Sequence, residues 1–238
     1  MTVNRKILLV KPGYAHFPLG LAYIARSLID HEIAFDFIDF NIEPNPNLEY
    51  ILKKYRYLSV ATGGLLADFS FYRKLFNAVK EYSPQTHCVL SGNITSDVNH
   101  RILLSTLKVD YLIRGEGELI FPQLLSRLEQ GDISPTDLDG LCYQKKDGPS
   151  DKQIVQKPRA PRLDLDAKNW MPYWDFFDLN AYNFEFMPVL TGRGCTGRCT
   201  FCSPTNGRFR GRPINHILEE IEYLNSNFAK ASAGSLNS

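Results

Sequence analysis

The chain has 238 residues, of which 44% are hydrophobic, 22% charged and 12% aromatic; this excludes extensive disorder and allows one complete domain with a substantial part of a second. The formal net charge of +1 excludes an overall basic field, so no nucleic acid is expected as a partner. The apolar run at 7–10 is too short for a signal peptide or a membrane span, so we expect a cytoplasmic protein with no transmembrane segment.

From Lys6 to about Gly131, short β-branched runs alternate with amphipathic stretches of helical length. This pattern is typical of a parallel sheet covered by helices. The predicted strands cover residues 6–12, 34–40, 57–63, 87–93 and 109–115. The predicted helices cover residues 19–31, 48–55, 69–82, 98–107 and 119–130. The fold class predicted for 1–135 is therefore a doubly wound α/β domain.

Turn sequences follow four of the five predicted strands, namely PGYAHFPLG, GGLLAD, GNITSD and GEGE. Ligands of doubly wound sheets bind at the carboxyl edge of the strands. The alternative is that glycine and proline simply turn the chain, which is the commoner role of any one such loop. The candidate residues of this edge are Pro12, Leu19, Gly20, Thr62, Gly63, Gly64, Gly92, Asn93, Gly115 and Glu116.

The remaining sequence changes character after about residue 135. Residues 136–183 predict a hairpin around Asp147 and Gly148, followed by a linker rich in proline and aromatic residues that packs against a domain surface. Residues 184–192 predict a strand and residues 214–228 an amphipathic helix, which together form one βα unit over 184–230. Residues 231–238 are small and polar and are predicted to be unstructured.

Three cysteines lie between the predicted strand and helix at the spacing C-x3-C-x2-C: Cys195, Cys199 and Cys202. A [4Fe-4S] cluster held by three thiolates keeps one iron open for a further ligand. Glycines in the same loop allow the tight curl that such a cluster needs. The other two cysteines, Cys88 and Cys142, stand alone and predict ordinary core residues.

With an aromatic residue at Phe201, the motif resembles the signature of the radical S-adenosylmethionine superfamily. The resemblance implies that the amino and carboxylate groups of S-adenosylmethionine chelate the open iron and that Phe201 lies against its adenine. It also implies that reduction of the cluster cleaves the sulfonium to a 5′-deoxyadenosyl radical, which abstracts hydrogen from a small-molecule substrate. A reductant such as ferredoxin or flavodoxin is the implied electron donor.

The segments PLGLAYIARSL, VDYLIRGEGELIFPQLLSRL, LTGRGCTGRCTFC and FRGRPINHILEEIEYL resemble the radical S-adenosylmethionine subgroup that has an amino-terminal cobalamin-binding-type domain. This implies a flavodoxin-like (Rossmann-like) domain over 1–135, followed by the start of a partial (β/α) TIM-like barrel over 184–230. It implies cobalamin as a second cofactor along the ten candidate edge residues. The implied function is radical chemistry on an unactivated carbon, such as cobalamin-dependent methyl transfer or ring formation.

Three departures from the family pattern qualify this resemblance. The histidine-ligating motif D-x-H-x-x-G is absent, and His31 is expected to be a helix-end residue rather than a cobalt ligand. Asn93 stands where the family often has a second glycine. The barrel of the family needs further βα units, so the resemblance implies a chain truncated early in the radical S-adenosylmethionine domain that cannot close a barrel alone.

Two alternatives stay open. The cysteines could hold structural zinc with His216 as the fourth ligand, although Cys3His sites usually show C-x2-C pairs. The chain could also be a non-catalytic corrinoid-binding or regulatory module with a vestigial cysteine loop. Glu116 and Glu118 are expected to favour the start of a helix through its dipole rather than to act as an acid and a base.

Overall fold

The structure, a computed structural model, describes residues 6–13, 17–135, 137–145, 153–178, 181–182, 187–197, 199–200 and 208–233. These residues form two compact units. The first unit takes its residues from 1–14 and 27–163, and the second takes them from 15–26 and 164–238. The domain boundaries predicted at residues 135, 183 and 230 stay predictions.

The first unit is built on a seven-stranded sheet. Its strands in chain order are β1 (Ile7–Lys11), β2 (Phe35–Asp39), β3 (Ser59–Gly63), β4 (His87–Ser91), β5 (Tyr111–Ile113), β6 (Leu141–Gln144) and β7 (Ile154–Gln156). Their order in the sheet is β2-β1-β3-β4-β5-β6-β7. The first five strands pair in parallel, which confirms the predicted α/β fold and all five predicted strands.

The helices of this sheet confirm the predicted alternation. They are α1 (Leu19–Asp30), α2 (Leu48–Lys54), α3 (Phe69–Tyr82), α4 (Ile94–Asp97), α5 (His100–Thr106) and α6 (Gly117–Glu129). The short helix α4 was not predicted, because four residues are too few to show a periodic pattern. Cys88 and Cys142 are fully buried in the core, as expected. Burial raises the pKa of Cys142 to about 11, against the lowering effect of Arg114.

The predicted hairpin extends the sheet of the first unit. Its strands β6 and β7 pair antiparallel, and the predicted turn at Asp147 and Gly148 lies outside the described residues. Strand β6 also pairs antiparallel with β5, which the sequence did not predict. Residues 141–143 are almost fully buried, so the hairpin covers an edge of β5 that would otherwise expose unpaired backbone.

The second unit has little regular structure besides one helix. Strands β8 (Gly192–Arg193) and β9 (Arg210–Gly211) pair antiparallel, and helix α7 covers Ile214–Ala233. The strand predicted at 184–192 is wrong over 187–191, because these residues pair with no strand among the described residues. Residues 184–186 lie outside the described residues. The absence of structure predicted for 231–238 is wrong over 231–233, because the alanine-rich sequence continues the helix.

An aromatic cluster packs the linker in the second unit. The ring of Phe17 stacks on Trp174 at 4.9 Å between centroids and meets the edges of Phe177 at 5.0 Å and Tyr182 at 5.6 Å. All four residues are buried, as expected for the aromatic residues of the linker. None of the helices in the described residues combines the length and the apolar character that crossing a membrane requires.

Candidate functional site

The carboxyl ends of the parallel strands lie at one edge of the first unit's sheet. The order β2-β1-β3-β4-β5 is the flavodoxin-like order, in which the chain reverses direction across the sheet between β1 and β3. This reversal leaves a crevice outside the carboxyl ends of these two strands. Pro12 follows β1, and Thr62, Gly63 and Gly64 lie at the end of β3, so the topology brings these predicted residues to the crevice.

Glycines line the edge where the loops after β3 and β4 cross. A Cβ atom on Gly92 would lie 2.6 Å from the backbone nitrogen of Gly64, and Gly92 has a φ of +87°. A Cβ atom on Gly63 would lie 2.9 Å from the carbonyl oxygen of Ser91. Only glycine fits at such a crossing without a backbone shift. The edge therefore presents bare backbone, which allows close approach of a ligand.

Thr62 brings an unsatisfied donor to the same edge. Its side chain is 3% exposed, and its hydroxyl oxygen has no hydrogen-bond partner among the described residues. Buried hydroxyl groups normally have a partner. The bare backbone and this hydroxyl fit a corrinoid, an amide-rich ligand that can accept a hydrogen bond from Thr62.

Lys11 and Asp39 form a buried ion pair at this edge that was not predicted from the sequence. The Lys11 ammonium lies 3.1 Å from the Asp39 carboxylate and donates to the Pro12 carbonyl oxygen at 3.2 Å. Both side chains are at most 2% exposed, and burial lowers the pKa of Lys11 despite the nearby Asp39 and Asp68. The sequence did hold a signal for this pair, because a lysine and an aspartate end two neighbouring apolar runs. In the sheet, Lys11 and Asp39 lie opposite each other. The pair fixes the ends of β1 and β2.

The other predicted edge residues have different surroundings. Leu19 and Gly20 begin α1 and belong to the second unit, where a Cβ atom on Gly20 would meet nothing within 4 Å. Asn93 is exposed and precedes α4 without capping it through its side chain. His31 directly follows α1, as expected, and its Nδ1 lies 2.8 Å from the Ser27 carbonyl oxygen. His31 thus lies away from the carboxyl edge.

Gly115 and Glu116 anchor residues 158–163, the arginine arm. Gly115 has a φ of +101°, and a Cβ atom there would lie 3.3 Å from Cγ of Arg159. The Glu116 carboxylate is buried and accepts a hydrogen bond from the Leu163 backbone N–H at 2.5 Å. Glu116 therefore positions the arm, and Glu118 lies in the first turn of α6, as expected from the helix dipole.

The cysteine loop brings two thiols together in the second unit. The Gly197 N–H donates to Sγ of Cys195 at 3.2 Å. A Cβ atom on Gly197 would lie 3.3 Å from Sγ of Cys195 and 3.5 Å from Sγ of Cys199. Both thiols are exposed, and Cys202 and Phe201 lie outside the described residues. Converging thiols with a backbone N–H directed at sulfur fit the donor set of an iron–sulfur cluster.

The proposed zinc ligands do not meet in the described residues. No three histidine, cysteine or acidic side chains converge there, although Cys202 lies outside that part of the chain. His216 is half-buried and its Nδ1 has no partner among the described residues. The choice between a cluster and zinc therefore rests on the cysteine spacing.

A buried ion pair holds the segment that leads into the cysteine loop. The Arg212 guanidinium lies 2.5 Å from the Glu220 carboxylate and donates to the Leu190 carbonyl oxygen at 2.8 Å. The Arg212 backbone N–H donates to the Thr191 carbonyl oxygen at 2.9 Å. Burial raises the pKa of Glu220, against the lowering effect of Arg212. Neither residue was predicted from the sequence, because a charged pair eight positions apart shows no sign of burial.

The strand order and the glycine-lined edge define a flavodoxin-like ligand-binding domain. The family described as the B12 binding domain matches residues 5–125, just over half of the chain. The chain belongs to this family. The match includes all ten predicted edge residues, from Pro12 to Glu116.

Relatives extend the similarity beyond this domain. The chain is 28% identical to an uncharacterised methyltransferase of Pyrococcus horikoshii over 92% of the chain and 50% of the relative. It is 25% identical to the anaerobic magnesium-protoporphyrin IX monomethyl ester cyclase of Synechocystis sp. over 87% of the chain and 42% of the relative. The chain thus spans about half the length of the curated relatives it matches.

The fold also matches a solved structure. It is the radical S-adenosylmethionine methyltransferase TsrM from Kitasatospora setae, solved with cobalamin and a [4Fe-4S] cluster bound. The TM-score is 0.69 and the identity 17%, over 93% of this chain and 46% of that one. At this identity the match shows the fold alone.

Proposed function

We propose that the chain is part of a cobalamin-dependent radical S-adenosylmethionine enzyme. The observation that carries the proposal is the glycine-lined crevice at the topological switch point of a domain in the B12-binding family. Cobalamin binds at this crevice, over the crossing of Gly63, Gly64 and Gly92. The Thr62 hydroxyl, which lacks a partner among the described residues, donates a hydrogen bond to the corrinoid.

The cysteine loop is the second cofactor site in this proposal. Cys195, Cys199 and Cys202 hold a [4Fe-4S] cluster, and S-adenosylmethionine binds at its open iron with Phe201 against the adenine. When bound, these two groups supply reductive cleavage of the sulfonium and hydrogen abstraction from an unactivated carbon. The Gly197 N–H, already 3.2 Å from Sγ of Cys195, stabilises thiolate charge. Arg212 holds the segment before the loop.

The reaction class is methyl transfer or ring formation on a small molecule. The names of the relatives, a methyltransferase and a cyclase, support these two outcomes. A low-potential reductant of the ferredoxin or flavodoxin class supplies the electron. The chain's own part in either reaction is to hold cobalamin, the cluster and S-adenosylmethionine.

The test is a titration of the anaerobic protein with hydroxocobalamin, followed by visible absorption. We expect about one corrinoid per chain. Gly92→Ala places a methyl group 2.6 Å from the Gly64 nitrogen and should weaken binding at least tenfold. Gly131→Ala is the matched control: Gly131 has a φ of +83°, but a Cβ atom there meets nothing within 4 Å, so the backbone strain is similar without the crowding. Binding that is absent in the unchanged protein, or equal in both variants, contradicts the proposed corrinoid site.

The cluster is tested in the same preparation by reconstitution with iron and sulfide. We expect about four irons per chain and an electron paramagnetic resonance signal that changes on adding S-adenosylmethionine. One zinc per chain with no cluster contradicts the enzyme proposal. A protein that binds cobalamin but no cluster would instead be a corrinoid-binding module.

A further inference from the structure

Three arginines lie together beside the carboxyl edge of the first unit. Arg114 follows β5, and Arg159 and Arg162 belong to the arginine arm. Arg159 and Arg162 are exposed and Arg114 is half-buried. Partial desolvation of the Arg159 side chain lowers its pKa, and the charges of Arg114 and Arg162 lower it further. Ala160, which lies between Arg159 and Arg162 in the arm, donates its N–H to the Arg114 carbonyl oxygen at 3.0 Å, so the backbone brings the three arginines together at the end of β5.

The arginine arm is fixed by its backbone at three points. Gly140 N–H donates to the Pro158 carbonyl oxygen at 2.6 Å, and Ala160 N–H donates to the Arg114 carbonyl oxygen at 3.0 Å. Leu163 N–H donates to the Glu116 carboxylate at 2.5 Å. Pro158 and Pro161 further restrict the backbone. The arm is thus a rigid support that holds Arg159 and Arg162 against the end of β5.

Among the described residues, the hydrogen bonds of Arg114 and Arg159 go to neutral acceptors. Arg159 donates to the Ser96 hydroxyl at 2.6 Å, and Arg114 donates to the Lys157 carbonyl oxygen at 3.0 Å. Neither acceptor carries a negative charge. The Ser96 hydroxyl accepts from Arg159 and keeps its own proton to donate. Three cations and a hydroxyl donor held together by rigid backbone form the donor set of an anion site, and guanidinium groups match phosphate oxygens in pairs.

The contact with Ser96 places this cluster next to the loop after β4. Ser96 N–H donates to the Asn93 carbonyl oxygen at 2.8 Å, so Ser96 lies one turn beyond Gly92 and Asn93. The Thr95 hydroxyl ties the same turn to β5, donating to the Ile113 carbonyl oxygen at 3.0 Å. The cluster therefore adjoins the glycine-lined edge.

We infer that Arg114, Arg159 and Arg162, with the Ser96 hydroxyl, form a phosphate-binding subsite at the end of β4 and β5. The phosphate group comes either from the nucleotide tail of a bound cobalamin, which contains a phosphodiester, or from a separate phosphate-bearing molecule. The first source rests on the proposed corrinoid function. The subsite itself rests on the geometry of the arm.

The experiment compares two corrinoids and one simple anion on the full chain. Cobalamin carries the nucleotide tail with its phosphodiester, cobinamide lacks both, and pyrophosphate is titrated alone by calorimetry. The variants are Arg159→Gln and Arg162→Gln. Arg56→Gln is the matched control, because Arg56 is an exposed arginine between α2 and β3, on the amino side of the sheet.

If the tail is the ligand, Arg159→Gln weakens cobalamin binding about tenfold or more, as expected for loss of a charge-assisted hydrogen bond, and leaves cobinamide binding unchanged. If a separate phosphate is the ligand, Arg159→Gln weakens pyrophosphate binding and changes neither corrinoid. Arg56→Gln changes none of the three. The subsite is overturned if Arg159→Gln and Arg162→Gln both bind cobalamin, cobinamide and pyrophosphate as tightly as the unchanged protein does. Failure of the unchanged protein to bind any corrinoid overturns the proposed function, while the pyrophosphate titration still decides the subsite.

Discussion

The glycine-lined edge and the cysteine loop assemble their candidate sites in opposite ways. At the edge, the residues that meet come from strands about 30 positions apart, such as Gly63 and Gly92, and parallel pairing of buried strands brings them together. In the loop, all three thiols lie within eight consecutive positions, 195–202, and no strand pairing is needed. A site of the first kind depends on the folding of its whole domain. A site of the second kind depends on its spacing and on what holds its two ends.

The largest expected effect is on the local site. Cys199→Ala removes one of three cluster ligands, so we expect loss of nearly all cluster absorbance and iron after reconstitution, because two thiolates cannot hold the cube. Thr200→Ala, at the neighbouring exposed position, is the control and should keep the full iron content. Equal iron content in the two variants would show that the loop is not the cluster site.

The support of the loop gives the next effect. Arg212→Met leaves the fully buried Glu220 carboxylate without its partner, which should cost about 3–5 kcal/mol of unfolding free energy. Both tryptophans, Trp170 and Trp174, lie in the second unit, so their fluorescence reports its unfolding in denaturant. Lys53→Met breaks an exposed pair with Glu49 and is the control: it should leave the unfolding free energy almost unchanged.

The same variant should show a defined pH dependence. Burial raises the pKa of Glu220 above its unfolded value, so the folded state binds the proton more tightly than the unfolded state does. The stability from this proton is fully present below the unfolded pKa, about 4.3, and is lost as the pH rises through the folded pKa. Without Arg212 the folded pKa rises further. We expect a smaller loss of stability in Arg212→Met at pH 5 than at pH 8, and an equal loss would contradict this role of Glu220.

At the edge, Glu116→Ala tests whether Glu116 acts by holding the arginine arm rather than by touching the ligand. It leaves the Leu163 N–H without the carboxylate that now accepts from it, at a cost of about 1–3 kcal/mol. Because the arginine arm loosens, pyrophosphate affinity should fall; if the cobalamin tail is the ligand, cobalamin affinity should fall too, while cobinamide affinity stays. Glu129→Ala, an exposed residue at the end of α6, is the control and should change neither the unfolding free energy nor any of these affinities.

The smallest effect should have the opposite sign. Thr62→Val removes a buried hydroxyl that has no partner among the described residues, so the protein without ligand should gain up to about 1 kcal/mol while cobalamin binds more weakly. Ser59→Ala removes a similar unsatisfied hydroxyl at the amino end of the same strand. It should give the same gain with no change in cobalamin affinity. A weaker cobalamin complex in both variants would place the ligand elsewhere.

The sequence predicted the elements of the first unit well, because five apolar runs separated by helical patterns leave few alternatives for a parallel sheet. It also predicted Gly63, Gly64 and Gly92 as edge residues, since glycine after a strand marks a turn. It did not predict the Lys11–Asp39 pair or the role of Glu116. These depend on register and on a partner 47 positions away, Leu163, which periodicity does not show.

The second unit was predicted less well for a related reason. The cysteine spacing is a local signal, and it predicts a candidate cluster site without any information on the fold. The strand at 184–192 was predicted from composition alone, and a strand forms only where another strand pairs with it. Among the described residues of this segment, only Gly192 has a pairing partner; it pairs with Gly211, next to the pair of Arg193 and Arg210.

The central claim, that cobalamin binds at the carboxyl edge, is tested most directly by hydrogen–deuterium exchange of the chain with and without hydroxocobalamin. We predict slower exchange of backbone amides at 62–66, 92–97 and 114–116. Exchange at 55–58 and 130–133, on the amino side of the sheet, should stay unchanged. Protection only on the amino side, where Ile7, Ile33 and Leu58 line a hollow, or no protection at saturating ligand, would contradict the claim.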